Sequence, residues 1–195
     1  MTTTKKYLRP LWSLLILFLF ATPQIYAQTY TLNNSASKLT VSGTSSLHDW
    51  DLDAEQQKGQ LVLNSATEMS IEKLTLQVTA ESLKSGKSAM DKNTYKALDT
   101  KKHSTITFQL TEVKNIKASG ADNYKVDVVG NLTIAGVTKK QQISLDMHAT
   151  ANKVTLKGKK AFNMSDFGID PPKALLGTIT TGDQVTITFH TILNK

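Results

Sequence analysis

Four histidines, His48, His103, His148 and His190, are the first residues to weigh as chemical groups. Imidazole suits both metal ligation and proton transfer near neutral pH. No two of them stand at a spacing such as His-x-x-x-His, which would place two ligands on one helix face. Separate strands could still bring two together beside Asp49 or Asp51, so spacing leaves that arrangement open. Ser45 and Ser46 lie near His48, but no serine sits in a nucleophile-elbow sequence, and closeness along the chain does not make a catalytic triad. There is no cysteine, hence no thiolate nucleophile, thiolate metal site, disulfide framework or lipid-modified cysteine. No glycine-rich phosphate loop leads from a strand into a helix. The residue types point to no catalytic group, no metal and no cofactor.

One polar residue stands out for another reason. His48, Trp50, Leu52 and Ala54 alternate with Asp49, Asp51 and Asp53, so an extended chain puts the first four on one face. An imidazole at the head of an inward apolar row could donate to the polar end of a ligand. It could equally be a core histidine satisfied by a neighbouring backbone. Trp50 has the same two readings, as cavity wall with a usable indole N–H or as core.

The elements that would position these residues follow from the rest of the chain. Lys5, Lys6 and Arg9 precede an apolar run from Leu11 to Phe20, then Pro23 and Ile25-Tyr26-Ala27. This is the layout of a secretory signal, expected over residues 1–27, and the run is short for a permanent membrane span. The leader holds three basic residues and no acid, so residues 28–195 carry about +4 of the chain's formal +7. Arg9 is the sole arginine. Bidentate contacts to phosphates and bases favour arginine, so nucleic acid is not an expected partner. The lysine pairs 101–102, 139–140 and 159–160 read as solubilising surface.

After the leader, apolar residues recur at every second position. The rows run through Leu39 and Val41; Leu61 and Leu63; Leu74, Leu76, Val78 and Ala80; and Ile106, Phe108 and Leu110. They continue through Tyr124 to Ile134 past Gly130, then Ile143 to Met147, Val154 and Leu156, Phe162 and Met164, and Val185 to Phe189. One apolar and one polar face per strand suits antiparallel pairing. Asn33-Asn34, Ser119-Gly120, Ala135-Gly136, Lys157-Gly158 and Thr181-Gly182 read as turns. Residues 88–98 break the pattern. Met90, Thr94, Ala97 and Leu98 recur at helical spacing beside Tyr95, behind a capping-type Ser88-x-x-Asp91. The expected fold is all-β: an antiparallel barrel of about eight strands with one short helix that covers an end. A barrel of that size either packs its interior with side chains or encloses one ligand.

Four segments, in order, are similar to the YceI-like family of exported, lipocalin-like, polyisoprenoid-binding barrels. They are Gly43-Thr44-Ser45-Ser46-Leu47-His48-Asp49-Trp50; His103-Ser104-Thr105-Ile106-Thr107-Phe108; Val129 to Lys139, reading VGNLTIAGVTK; and Asn163-Met164-Ser165-Asp166-Phe167-Gly168-Ile169. Where many relatives carry an arginine before Asp-Phe-Gly-Ile, this chain has Asn163 or Met164, which removes one partner for a lipid diphosphate. Asp166 reads as support for the turn at Phe167-Gly168.

The resemblance implies non-catalytic binding of an apolar, isoprenoid or quinone-like lipid inside a domain spanning 28–195. It implies a periplasmic or secreted location, with room for transient membrane contact and a homodimer. The residues expected to face the lipid are His48, Trp50, Leu52, Leu76, Val78, Met90, Tyr95, Phe108, Ile134, Leu145, Phe162, Phe167 and Phe189. The competing expectation is an envelope interaction module with a solid core. N-terminal sequencing of protein recovered from the envelope should read from Gln28; a chain still beginning at Met1 would make the leader an anchor.

Overall fold

The computed structural model describes residues 2–3, 27–64 and 69–195; the expected leader lies almost wholly outside them. Among the described residues twelve strands are formed: β1 (Ala27–Leu32), β2 (Lys38–Ser45), β3 (Trp50–Ala54), β4 (Gln57–Asn64), β5 (Ser70–Thr79), β6 (Leu83–Lys84), β7 (Thr105–Gly120), β8 (Asn123–Ile134), β9 (Val137–Ala149), β10 (Lys153–Asn163), β11 (Lys173–Ala174) and β12 (Ile179–Asn194). One α-helix, α1 (Ser88–Ala97), stands between β6 and β7.

All pairings are antiparallel, and they close. β1–β2, β3–β4 and β5–β6 are three long strands, each bent once. With β7, β8, β9, β10 and β12 they make an eight-stranded up-and-down barrel. β12 lies against β10 along its length and on its other edge meets β2, then β1. Closure leaves the ladder without a long free edge there.

The three bends sit side by side and are cross-linked. Asn34 Nδ2 donates to the Glu55 carbonyl (2.8 Å), and the Gln57 N–H donates to Asn34 Oδ1 (2.6 Å). The Gln56 N–H donates to Ser82 Oγ (3.1 Å), which itself donates to the Thr79 carbonyl (2.7 Å). The first bend is also tied to β12: the Ile192 N–H donates to Ser37 Oγ (2.9 Å), and the Asn33 N–H to the Ile192 carbonyl (2.8 Å).

The bends divide the barrel into a packed floor and an open mouth. The floor is filled by side chains with almost no exposure, among them Leu61, Val126, Met147, Val154, Leu156 and Leu193. Tyr30, 2 % exposed, closes it. Its hydroxyl lies 2.6 Å from Gln28 Oε1 and 3.2 Å from the Thr150 carbonyl oxygen, so it bridges β1 to the β9–β10 turn, and burial pushes its pKa above the ordinary phenol value. The mouth is formed by the 45–49 loop, the segment through α1, the β8–β9 turn and the 164–178 connection.

Several local expectations change. Lys157-Gly158 is not a turn but mid-strand, with Gly158 paired to both Leu145 and Phe189. Thr181-Gly182 lies inside β12, at a register shift against β2. Met164 is outside the strand row, in a 3-10 turn over Met164–Phe167. There Asn163 and Asp166 form a reciprocal capping box, and Gly168 ends the turn at φ 70. Strand β1 was not apparent, because AQTYTL offers only Tyr30 and Leu32 as an alternating pair.

The helix also starts differently. Ser88 is already helical and Lys87 is the cap residue, without a side-chain cap. Asp91 instead reaches back: both the N–H (2.8 Å) and Oγ–H (2.6 Å) of Ser85 donate to Asp91 Oδ1. The Ser85 hydroxyl first, then its N–H, hold the Asp91 pKa below the usual carboxylate value. A carboxylate with a lowered folded-state pKa adds stability above its unfolded value of about 3.9 and loses it as pH falls through the folded value. Asp91→Asn should therefore lower the urea midpoint at neutral pH, with the gap to the parent shrinking below pH about 3.9. A gap that persists unchanged in acid would mean that the charge is not what holds α1.

Candidate functional site

Above the bends the interior is hollow. A cavity of about 420 Å³ runs from the packed floor to the mouth, within the ~300–1,000 Å³ typical of small-molecule sites. Its wall comes from inward residues that the floor does not cover. Leu39, Val41, Leu76, Ile106, Ile143 and Ile187 face inward yet are only half-buried. A solid core would bury them, so the solid-barrel expectation loses its premise.

Three aromatic side chains keep the lumen open by lying along the wall. Trp50 pairs across the sheet with Gly43, and its indole covers that glycine; any Cβ at Gly43 would collide with the ring. Phe189 pairs with Gly158, where a Cβ would meet the ring at 2.7 Å. Phe108 covers Gly130 on the neighbouring strand in the same way. Each glycine removes the side chain that would otherwise push the ring towards the axis. The Trp50 Nε1–H is already used, donating to the Thr44 carbonyl (2.9 Å). It is a positioning contact, and no donor is left for a ligand.

Eleven of the thirteen residues expected at the site line this cavity. His48, Trp50 and Leu52 come from the 45–49 loop and β3, Leu76 and Val78 from β5, Met90 from α1, and Phe108 from β7. Ile134, Leu145, Phe162 and Phe189 come from β8, β9, β10 and β12. Two do not line it. The Tyr95 side chain turns away from the lumen: Lys84 Nζ donates to its hydroxyl (2.6 Å), which donates to the Glu81 carbonyl (2.8 Å), fastening α1 to the β5–β6 bend. Phe167 is 1 % exposed and packs edge-on behind Phe162, with ring centroids 5.1 Å apart. It supports the wall without being part of its surface.

His48 is neither a core histidine nor deep in the row. It is exposed at the mouth, with Nδ1 2.7 Å from the Asp49 carbonyl oxygen. Since a carbonyl only accepts, Nδ1 carries the proton, and Nε2 is left for another partner. The serines beside it serve the loop: Ser45 Oγ donates to the His48 carbonyl (2.8 Å) and accepts from the Leu47 and His48 N–H groups. No nucleophile–base pair results. Among the described residues, no three His, Cys, Asp or Glu side chains come together as a metal site.

Sequence reasoning missed the cations. Lys160 shares the inward face of β10 with Leu156 and Phe162, half-buried, although the 159–160 pair reads as surface. The alternation that places Phe162 inside also places Lys160 inside. Lys87 and Lys173 line the cavity at its mouth, and no Asp or Glu side chain lines the cavity. Leu74, Leu83, Leu98, Ile169 and Ile179 complete the apolar wall.

Gly43→Ala should force the indole off the wall. The expected cost is about 1–3 kcal/mol of stability in urea unfolding. Trp50 is the only tryptophan after residue 27, so the displacement should also appear as a shift in its fluorescence. Parent-like stability and emission would mean that the ring does not depend on the glycine.

Solved structures with the same fold were found. BcnA of Burkholderia cenocepacia is 18% identical, with a TM-score of 0.68 over 83% of this chain and 98% of its own. A polyisoprenoid binding domain from Saccharophagus degradans, implicated in plant cell wall breakdown, is 15% identical, with a TM-score of 0.68 over 85% and 97%. The Campylobacter jejuni YCEI protein is 18% identical, with a TM-score of 0.52 over 65% and 74%. At these identities the likeness is one of fold. No curated protein sequence matches the chain. A family model for the YceI-like domain matches residues 30–193, from the tyrosine that closes the floor almost to the end of the last strand. The chain belongs to the YceI-like domain family.

Proposed function

We propose that the protein is a non-catalytic carrier of an apolar lipid with an isoprenoid or quinone-like chain, held in the lumen outside the cytoplasm. The observation that carries this reading is the hollow upper half, where half-buried aliphatic and aromatic side chains face empty space across about 420 Å³. Burying a methylene contributes about 0.8 kcal/mol, so a branched hydrocarbon chain gains affinity there without polar contacts. The polyisoprenoid-binding designation of the Saccharophagus degradans domain, which shares the fold, supports the same ligand class.

The polar end of the ligand would remain near the mouth. Lys160 offers three N–H donors from the inner wall, and Lys173 and His48 stand at the rim. These groups suit an oxygen-bearing head, whether quinone carbonyl or phosphate, and Lys160 supplies a cation that the missing arginine would not. Loading outside the cytoplasm fits the leader-like residues 1–27 and the lack of any cysteine to oxidise.

Ile187 tests the lumen. It faces the cavity from β12, paired with Val41 on one side and Lys160 on the other. Ile187→Trp should fill the space and weaken loading of a prenol such as geranylgeraniol by about tenfold or more, a loss of roughly 1.4 kcal/mol or greater, while the barrel stays folded. Circular dichroism checks the fold, and native mass spectrometry reads the loading. A folded variant that loads as the parent does would remove the lumen as the binding site.

A further inference from the structure

The large apolar side chains that stand well exposed among the described residues are Leu47, 65 % exposed, and Leu176, 110 %. Leu47 stands on the rim of the cavity, and Leu176 on a hairpin whose Lys173 and Ile179 line it. Leu47 lies in the 45–49 loop and lines the mouth. Leu176 is at the tip of the β11–β12 hairpin, where Lys173 pairs with Thr180 and Ala174 with Ile179. Two hydrogen bonds stitch the loop to that hairpin: the Ser46 N–H donates to the Thr180 carbonyl (2.9 Å), and the Thr180 N–H donates to Ser46 Oγ (3.1 Å).

The hairpin tip is unusual in two ways. Leu176 adopts φ 55 and ψ 30, a left-handed conformation that glycine or asparagine takes readily and leucine does not. Its side chain touches nothing that would repay the strain, since it is fully exposed. A tip in water is ordinarily built from Gly, Asn, Asp or Ser. The exposure is offset when the side chain enters an apolar phase outside the protein.

Charge and position name that phase. Lys87 and Lys173 are exposed at the same mouth and line the cavity, where no Asp or Glu side chain is found, while Asp49, Asp166 and Asp170 are exposed on the loops around it. Apolar side chains that can dip below headgroups, flanked by lysines that can face phosphates, match the surface of a bilayer containing anionic lipid. Leu47 and the hairpin that carries Leu176 both border the cavity mouth, so a docked mouth would let a hydrocarbon chain move from bilayer to lumen without crossing water. We propose that the rim carrying Leu47 and Leu176 is a membrane-docking surface. The proposal rests on the lipid-carrier reading for its purpose, but its geometry stands separately.

The test is vesicle flotation of the mature protein with mixed phosphatidylethanolamine and phosphatidylglycerol vesicles, alongside prenol loading from detergent micelles. The parent should float with the vesicles. Leu176→Ser should reduce flotation about tenfold and slow prenol uptake from vesicles to match, with uptake from micelles unchanged. Leu176→Trp should strengthen flotation, because indole favours the bilayer interface. A parent that does not float, or a serine variant that floats equally well, overturns the proposal. A dimer that Leu176→Ser abolishes, without flotation of the parent, would assign the rim to a second copy and also overturn it. Flotation with the expected variant effects, but no prenol loading from either source, would uphold docking while removing the carrier reading.

Discussion

Three neighbouring strands bend at one height, and the side chains of Asn34 and Ser82 hold the bends together. Below that line β1 pairs with β12 and the interior is filled by buried side chains. Above it they part, the partner of β12 changes from β1 to β2, and α1 fills the gap between β6 and β7. A barrel without the bends would continue the floor upwards and leave no room. The same hydrogen bonds satisfy backbone groups that lose their ladder partners where the strands turn, which is why the exposed Asn34 and the buried Ser82 occur there.

Given that division, the cavity depends on where bulk is placed. Aromatic rings are the largest side chains of the wall, and pointing three of them at the axis would fill most of it. Instead they lie flat over Gly43, Gly130 and Gly158. Rigid rings held against the backbone make a smooth apolar surface at little cost in side-chain entropy. Phe167, tucked behind Phe162, and Tyr95, fastened to the β5–β6 bend, stiffen that surface from outside. The wall is therefore built before any ligand arrives, which lowers the ordering cost of binding.

Most of the barrel was legible because alternation is a local signal: two residues apart means the same face. The rows through Trp50–Ala54, Leu74–Val78 and Tyr124–Ile134 fall within the observed strands, and α1 covers the expected residues to within a residue. Glycine was misread at Gly158 because a glycine in sequence signals a turn, while its role here is set by Phe189 on another strand. Lys160 was misread because a pair of lysines suggests surface, though alternation assigns one of the two inward. His48 was placed in the row of Trp50, but the strand begins at Trp50, and the histidine belongs to the loop. Tyr95 and Phe167 were assigned to the lumen because aromatic character does not reveal which side of a wall a ring occupies. In each case the missing information is a contact between distant residues.

The central claim is that the lumen holds a hydrocarbon chain. Native mass spectrometry of the protein taken from the cells that make it tests it most directly, followed by organic extraction of whatever is bound. The account predicts a mass above that of the polypeptide, with the excess recovered in the organic phase as an isoprenoid or quinone-like lipid. A bare polypeptide mass that stays bare after incubation with quinones and polyprenols would contradict it.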